Sequence, residues 1–543
     1  MTASASLDGG ALGATERAFP ALDGIRALAA TTVVVTHAAF WTGDHTGDAV
    51  GRVLAHLDVG VAVFFVLSGF LLFRPFAHAA TRGERAPSAG AYLWRRALRI
   101  LPPYWLAVAA ALILLPANDG ADRSTWVRNL ALAHIYDDGG FSVGLEHTWS
   151  LCVEAAFYLV LPFLAFVLLS MSRRHGLRPW PTLVGLGVLT VAGAAYLYGV
   201  WMGDVEFVPT NLWLPAFAGW FAGGMTLALL SVSDTEWGPV RLARRLGSNL
   251  GLCWAAAAVL FGLACTPLAG PYSFGVSTPV EAVTRSLLYM GTALLMVLPL
   301  VLAGPHEGPV RRALSSKPAR YLGEISYGLF LFHLLVLVGL YDTLDATIFT
   351  GDLWLVAPIV WLASVAVAAL VYVGVERPVR RWRSLVSDPA SAGVPRRDGR
   401  APIATTGTDD RRPGSETRPT ERSTATLHEL ARVGDAERLA ARLDAGASVD
   451  TRNDDGDSLL MIAAAQGHAG TVALLLARGA DHSAVNDRGQ TALGLAVFRQ
   501  SAETVRQLLV AGADPDAGGP SARATAFYFG LPDMTALLEG APR

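Results

Sequence analysis

Ten long apolar segments run through the first 376 residues of this chain, and they limit its possible folds more than any other feature. A helix needs about 17–25 apolar residues to cross a bilayer, and each segment meets that length. The whole chain is 52% hydrophobic but only 16% charged, whereas soluble domains are about 25% charged. This composition excludes an ordinary soluble enzyme and a chain that mainly binds nucleic acid. The segments lie near residues 22–41, 56–74, 98–117, 149–169, 181–200, 211–231, 251–269, 284–303, 321–341 and 353–375.

The loops between these segments alternate in charge along the chain. Arginine-rich loops follow the second, fourth, sixth, eighth and tenth segments, and acidic loops lie between them. Because positively charged loops stay in the cytoplasm, the pattern predicts that both termini are cytoplasmic. We expect a multi-pass protein of the inner or plasma membrane, in contact with membrane lipid. The first apolar run has no small-residue cleavage site after it, so we expect an uncleaved anchor. The basic residues are Arg82, Arg85, Arg95, Arg96; Arg173, Arg174, Arg178; Arg241, Arg244, Arg245; Arg311, Arg312, Lys317, Arg320; and Arg377, Arg380, Arg381, Arg383.

Composition divides the chain into four parts. We predict an N-terminal cytoplasmic tail over 1–17 and a transmembrane domain over 18–383. Residues 384–423 are rich in Pro, Ser, Thr, Gly and Arg and almost free of large apolar residues, which predicts a disordered linker. Residues 424–543 form a separate C-terminal domain.

A period of 33 residues marks that C-terminal domain. Leu427, Leu460 and Leu493 share this spacing, and so do three glycines in the phrases LDAGAS, LARGAD and LVAGAD. The pattern resembles ankyrin repeats, each a turn followed by two short helices, with three repeats and a shortened fourth. The usual Thr-Pro-Leu-His box has lost its proline here. The resemblance implies a cytoplasmic α-solenoid that binds a protein and does not catalyse. The fold class is therefore all-α, a bundle of about ten transmembrane helices with an ankyrin solenoid.

Ionisable residues within the apolar segments are functional candidates, because a charge in the bilayer is costly. Arg26 and His37 lie on one stripe of the first helix, about 16 Å apart along its axis. In the fourth segment, steps of three, four and four residues place four side chains on one helix face: His147, Ser150, Glu154 and Tyr158. The ninth segment contributes Ser326, Tyr327 and His333. If the helices are straight, His37, Glu154 and His333 meet at similar depth.

Arginines cluster on the predicted cytoplasmic side. Arg95, Arg96 and Arg99 begin the third segment, and Arg74 ends the second. Arginine forms bidentate hydrogen bonds with phosphate, so these four residues predict a phosphate-binding site. The chain has no glycine-rich phosphate loop, no paired zinc ligands and no nucleophile elbow. We therefore expect no metal site.

Several sequence motifs follow one another in order along residues 18 to 383. They are Phe19-Pro20-Ala21-Leu22-Asp23-Gly24-Ile25-Arg26 leading to His37; Phe64-Phe65-Val66-Leu67-Ser68-Gly69-Phe70; Arg95-Arg96-Ala97-Leu98-Arg99-Ile100; His147-Thr148-Trp149-Ser150-Leu151 with Glu154; Ile325-Ser326-Tyr327 with His333; and Glu376-Arg377-Pro378. In this order, the motifs make the chain similar to the acyltransferase-3 family, bacterial membrane enzymes that O-acetylate surface polysaccharides and related acceptors. One departure is Ala155-Ala156, where the family commonly has a Glu-Gln pair.

The resemblance implies a reaction and a set of site residues. An acyl group, commonly acetyl, passes from cytoplasmic acyl-CoA to a hydroxyl of a cell-envelope glycan or related acceptor, with no permanently bound cofactor. The implied catalytic residues are His37, Arg26, Glu154 and His333, and the CoA-binding residues are Arg74, Arg95, Arg96 and Arg99. The implied substrate-binding residues are Trp149, Ser150, Tyr158, Ser326 and Tyr327.

Two other functions remain open from the residues alone. In one, the chain is a transporter in which His37, Glu154 and His333 carry protons or bind a polar solute. In the other, it is a membrane-anchored ankyrin scaffold whose catalytic core has decayed. The acceptor, the acyl chain length, the route of the acyl group and the ankyrin partner stay undetermined.

Overall fold

A computed structural model provides the fold of the protein over most of its length. The predicted N-terminal tail, and all of the predicted linker except residues 384–386, lie outside the described residues. Within them, every regular element is helical apart from three isolated β-bridges, which confirms the all-α prediction. The described residues are 19–45, 49–136, 140–174, 179–202, 210–270, 278–302, 308–346, 348–386, 426–453, 456–487, 489–528 and 531–540.

Eleven main helices form the membrane bundle. Nine helical stretches of the described chain are long and apolar enough to cross a bilayer. The predicted segment near 251–269 is a 15-residue helix, and it reaches spanning length only together with the helix before it, from which it is bent by 86°. The helices are α1 Ala21–Thr42, α2 Val59–Thr81, α3 Ala89–Leu114, α4 Trp149–Arg174, α5 Trp180–Met202, α6 Ala218–Val232, α7 Gly238–Gly247, α8 Leu250–Ala264, α9 Pro279–Leu302, α10 Lys317–Thr343 and α11 Leu353–Val371.

The bend between α7 and α8 follows from the three faces of α7. Val240, Ala243 and Gly247 are buried against the bundle, whereas Leu242 and Leu246 are exposed. The three arginines of this helix occupy the remaining face and are also exposed. A helix that is apolar on one exposed side and basic on another is suited to lie along a membrane surface.

Glycines allow the closest helix contacts in the bundle, and these contacts place α1, α2 and α10 around the site. Gly224 of α6 lies against the backbone of α2, where a methyl group would be 2.8 Å from the nitrogen of Phe70. Gly323 of α10 lies against the backbone of Asp23 in α1, where a methyl group would be 2.6 Å from the carbonyl carbon. Because the first halves of α1 and α10 touch, the two helices run side by side, and residues midway along each lie at similar depth.

Four helix pairs form the C-terminal array, which confirms the ankyrin repeats. The three glycines that recur every 33 residues follow the second helix of the first three pairs, and Gly479 has φ of +79°. Such a backbone conformation disfavours residues with a Cβ atom, which explains why glycine recurs there. Thr491 accepts a hydrogen bond from the Gly494 N–H at 3.1 Å and so caps its helix without the usual proline. The helices are α12 Leu427–Val433, α13 Ala436–Asp444, α14 Leu459–Gln466, α15 Ala469–Ala477, α16 Ala492–Phe498, α17 Ala502–Val510, α18 Ala522–Tyr528 and α19 Pro532–Glu539.

The position of the array relative to the membrane follows from α11. This helix crosses the bilayer, and residues 387–425, which come after it, include many arginines and aspartates. Charged residues of this kind do not lie in the hydrocarbon. In a bilayer, the repeats therefore lie on the side where α11 ends.

Candidate functional site

A cavity with an open mouth runs along the inner faces of α1, α2, α3, α4 and α10. Its two ends differ in character. Near one end the walls are basic, with Arg26, Arg95, Arg96 and Arg99. Toward the other end, Val61 and neighbouring aromatic rings make the walls apolar. The cavity is thus suited to a ligand with an anionic head and an uncharged tail.

Glu154 lies in the basic part of this cavity and not beside the histidines. The hydroxyl of Ser68, on α2, donates to the Glu154 carboxylate on α4. This pair joins two helices of the cavity wall. The predicted meeting of Glu154 with His37 and His333 is therefore wrong, because its helix face is directed toward α2 and the arginines.

Three other predicted residues also line the cavity. Ser150 donates to the His147 carbonyl at 3.1 Å, which fixes the first turn of α4. Tyr327 donates to the Ile100 carbonyl at 2.9 Å and so ties α10 to α3. Tyr158 lies on the cavity wall with Glu154. All three can offer a hydroxyl near a bound ligand.

Apart from the two predicted histidines, three predicted site residues lie outside the cavity lining. Arg74 donates to the Ser231 hydroxyl at 3.2 Å and packs over the Phe19 ring, so it joins α2 to α6. Trp149 stacks against another aromatic ring on the far side of α4, and the buried Ser326 hydroxyl donates to a carbonyl of its own helix. The geometry gives these three residues packing contacts, and the prediction that Arg74 joins the arginine cluster is wrong.

Histidines from α1 and α10 meet near the apolar end of the cavity. His333 Nε2 lies 3.1 Å from His37 Nδ1, so the prediction that these two residues share a depth is confirmed. His333 Nδ1 lies 2.6 Å from the Phe330 carbonyl, and His37 Nδ1 lies 2.9 Å from the Val33 carbonyl. A carbonyl only accepts, so both Nδ1 atoms carry a proton.

This assignment fixes the direction of the hydrogen bond between the two rings. His37 Nδ1–H is shared between the Val33 carbonyl and the unprotonated Nε2 of His333. The free lone pair of His37 is then on its own Nε2, which makes no hydrogen bond with the described residues. His37 is partly exposed, whereas His333 is fully buried. The pair thus presents one accessible base, oriented from behind by a second imidazole.

His147, which we did not predict as a site residue, completes the cluster. Its ring centroid lies 4.7 Å from that of His333 and 6.2 Å from that of His37. It is 3% exposed, and neither ring nitrogen has a hydrogen-bond partner within the described part of the chain. Its position three residues before Ser150, on the face we had singled out, was the available signal.

The fold and the site define a class of protein: a polytopic helical membrane protein with a basic cavity next to a histidine pair. Comparison with known families agrees. Residues 19–373 match the acyltransferase-3 family, described as an acyltransferase domain, and residues 427–518 match three ankyrin repeats. The chain belongs to the acyltransferase-3 family and is a multi-pass membrane acyltransferase.

Two curated relatives show how far the similarity extends. The chain is 27% identical to Nodulation protein 10 of Rhizobium leguminosarum over 67% of its own length and 93% of that protein's length. It is 24% identical to the peptidoglycan O-acetyltransferase OatA of Listeria monocytogenes, again over 67% of its own length but over 56% of OatA. Both matches are too short to cover the whole chain.

Proposed function

We propose that this protein transfers an acyl group, acetyl in the first instance, from cytoplasmic acyl-CoA to a hydroxyl of a cell-envelope glycan or related acceptor. The observation that carries the proposal is the free Nε2 of His37, oriented by His333 and situated next to a cavity with four arginines. The name of OatA supports an O-linked product. The alternating charge of the loops supports a topology in which the basic end of the cavity and both chain termini face the cytoplasm.

The arginines bind the donor in this proposal. Arg95, Arg96 and Arg99 come from the first half of α3, and Arg26 reaches the same space from α1. Their guanidinium groups pair with the phosphates of CoA. Arg26 is 11 residues before His37, about 16 Å along the helix, so a donor held at the arginines extends its acyl end toward the histidines. The hydroxyls of Ser150, Tyr158 and Tyr327 hold the uncharged arm between these points.

The histidine pair carries out the transfer. His37 Nε2 takes the proton from the acceptor hydroxyl as the hydroxyl oxygen bonds to the thioester carbonyl carbon. The carbon–sulfur bond then breaks, and the departing thiolate takes the proton from the imidazolium. The products are the ester and CoA thiol, and no other reactant is needed. His333 acts through His37, because it keeps the proton on Nδ1 and the lone pair on Nε2.

The ankyrin array binds a cytoplasmic protein in this proposal. The array lies on the side of the membrane where α11 ends. The charge of the loops predicts that the basic end of the cavity opens on the same side. A partner tethered there lies next to the donor entrance. We therefore propose a partner that supplies the donor or assembles the acceptor. Deletion of 424–543 should leave turnover by the purified protein intact and reduce acylation in cells.

The test is acyl-CoA turnover by the full chain purified in nanodiscs. Thiol release from acetyl-CoA, with and without glycan acceptors, is measured for the wild type, for His37→Ala and for His482→Ala. The last variant changes a histidine of the repeats and serves as the matched control. We expect release by the wild type and His482→Ala and a loss of at least a hundredfold in His37→Ala. Release by His37→Ala at the wild-type rate would refute the catalytic assignment. Absence of both release and CoA binding in the wild type would refute the acyl-CoA donor.

A further inference from the structure

An aromatic side chain lies between the cavity and two rings of the histidine cluster. Phe330 of α10 lines the cavity and is only 6% exposed. Its ring lies 5.1 Å from the ring of His147 and 5.9 Å from that of His333, measured between centroids. No histidine of the cluster lines the cavity itself. The Phe330 ring therefore has the cavity on one side and the imidazoles on the other.

The surroundings of Phe330 leave little free space at this end of the cavity. The Phe64 ring of α2 packs edge-on against it, with centroids 6.0 Å apart. Val61, Phe65 and Leu151 complete the apolar wall. The backbone of Phe330 is held as well, because its carbonyl accepts the hydrogen bond from His333 Nδ1. The ring thus occupies a fixed place at this end of the cavity, against the rings of His147 and His333.

We propose that Phe330 closes the acyl end of the donor cavity and selects short acyl chains by filling the space that a longer chain would need. The inference rests on the function proposed above. An acetyl group fits beside the ring at the level of the histidines, whereas each further methylene must displace the ring. The selection is steric, and apolar pockets discriminate by about tenfold or more for each methylene.

The experiment compares two phenylalanines of one helix. Phe332 is 5% exposed, lies two residues further along α10 and does not line the cavity, so Phe332→Ala is the matched control for Phe330→Ala. Thiol release from acetyl-, butyryl- and hexanoyl-CoA is measured in nanodiscs. We expect the ratio of hexanoyl to acetyl turnover to rise at least tenfold in Phe330→Ala and to stay at the wild-type value in Phe332→Ala.

A second measurement does not depend on turnover. Diethylpyrocarbonate modifies accessible imidazoles, and mass spectrometry can follow the peptide that contains His147. This buried ring should react several times faster in Phe330→Ala than in Phe332→Ala, because the cavity then opens onto it. If Phe330→Ala does not fold, Phe330→Leu replaces it, with the same expected directions.

The outcomes separate this inference from the function on which it rests. One outcome would overturn the role of Phe330 alone. In it, the wild type is active, but truncation of Phe330 changes neither the ratio of hexanoyl to acetyl turnover nor the reactivity of His147 by more than twofold. A wild type that neither turns over nor binds any acyl-CoA would overturn the proposed donor, and with it this inference. Faster modification of His147 together with an unchanged donor ratio would also refute chain-length selection.

Discussion

Replacement of Gly224 by alanine tests whether the contact between α2 and α6 positions the site. A methyl group there would lie 2.8 Å from the nitrogen of Phe70 and 2.9 Å from the carbonyl carbon of Val66, both backbone atoms. Carbon atoms prefer separations of about 3.5–4.0 Å, so the two helices must move apart by roughly 1 Å. Overpacking of this kind costs about 1–3 kcal/mol. Because no side chain can rotate away from the clash, we expect the upper end of that range.

The matched control for this change is Gly187→Ala on α5, where a methyl group would meet no atom within 4 Å. Thermal unfolding of the detergent-purified proteins should show Gly224→Ala several degrees below the wild type. Gly187→Ala should melt at or slightly above the wild-type temperature, because alanine favours a helix more than glycine does. Turnover should also fall in Gly224→Ala, since the movement of α2 separates Ser68 from Glu154. Equal melting temperatures for the two variants would refute the reasoning.

Three further predictions concern the histidine pair, an exposed helix cap and the repeats. His333→Ala should lower kcat about 10²–10⁴-fold and leave the KM for acetyl-CoA unchanged, because His37 loses its orientation while the donor site stays intact. Hydrogen bonds from Thr125 and Ser124 lower the pKa of Asp122 to about 2, below its unfolded value of about 3.9. This cap therefore stabilises residues 123–130 above about pH 4 and loses that effect as pH falls through 2. The protection factors of their amides, which correct for the intrinsic pH dependence of exchange, should therefore fall in acid. Thr491→Ala should cost about 1 kcal/mol and speed hydrogen exchange in α16.

Each of these predictions has its own contrary result. A raised KM with unchanged kcat in His333→Ala would place that residue in donor binding and not behind His37. If Asp122→Asn shows the same acid-dependent exchange over residues 123–130 as the wild type, the cap does not explain that dependence. If exchange in α16 is unaffected by Thr491→Ala, the threonine is not the cap that replaces the missing proline box.

Local patterns predicted the elements of this protein well, and they predicted contacts between elements poorly. Arg26 and His37 lie on one helix, so the helical repeat alone predicts their shared stripe. Glu154 shows the limit. The same repeat places it correctly on a face with Ser150 and Tyr158, but the rotation of α4 about its axis sets which neighbour that face meets. The close approach of α2 brings Ser68 to it, and no spacing in the sequence shows that approach.

By itself, the sequence determined the membrane class, the approximate position of most spans, the repeat period and most of the polar residues that line the cavity. Each of these follows from a local property of the sequence: the length of an apolar run, the net charge of a loop, or the spacing at which a residue type recurs. The tertiary structure alone decided that His333 orients His37, that His147 joins them, that Arg74 leaves the arginine cluster, and that Phe330 lies between the cavity and the rings of His147 and His333. Those relations depend on how helices distant in the chain rotate and approach. That packing is fixed by backbone contacts at residues such as Gly224 and Gly323, where the absence of a side chain is what matters.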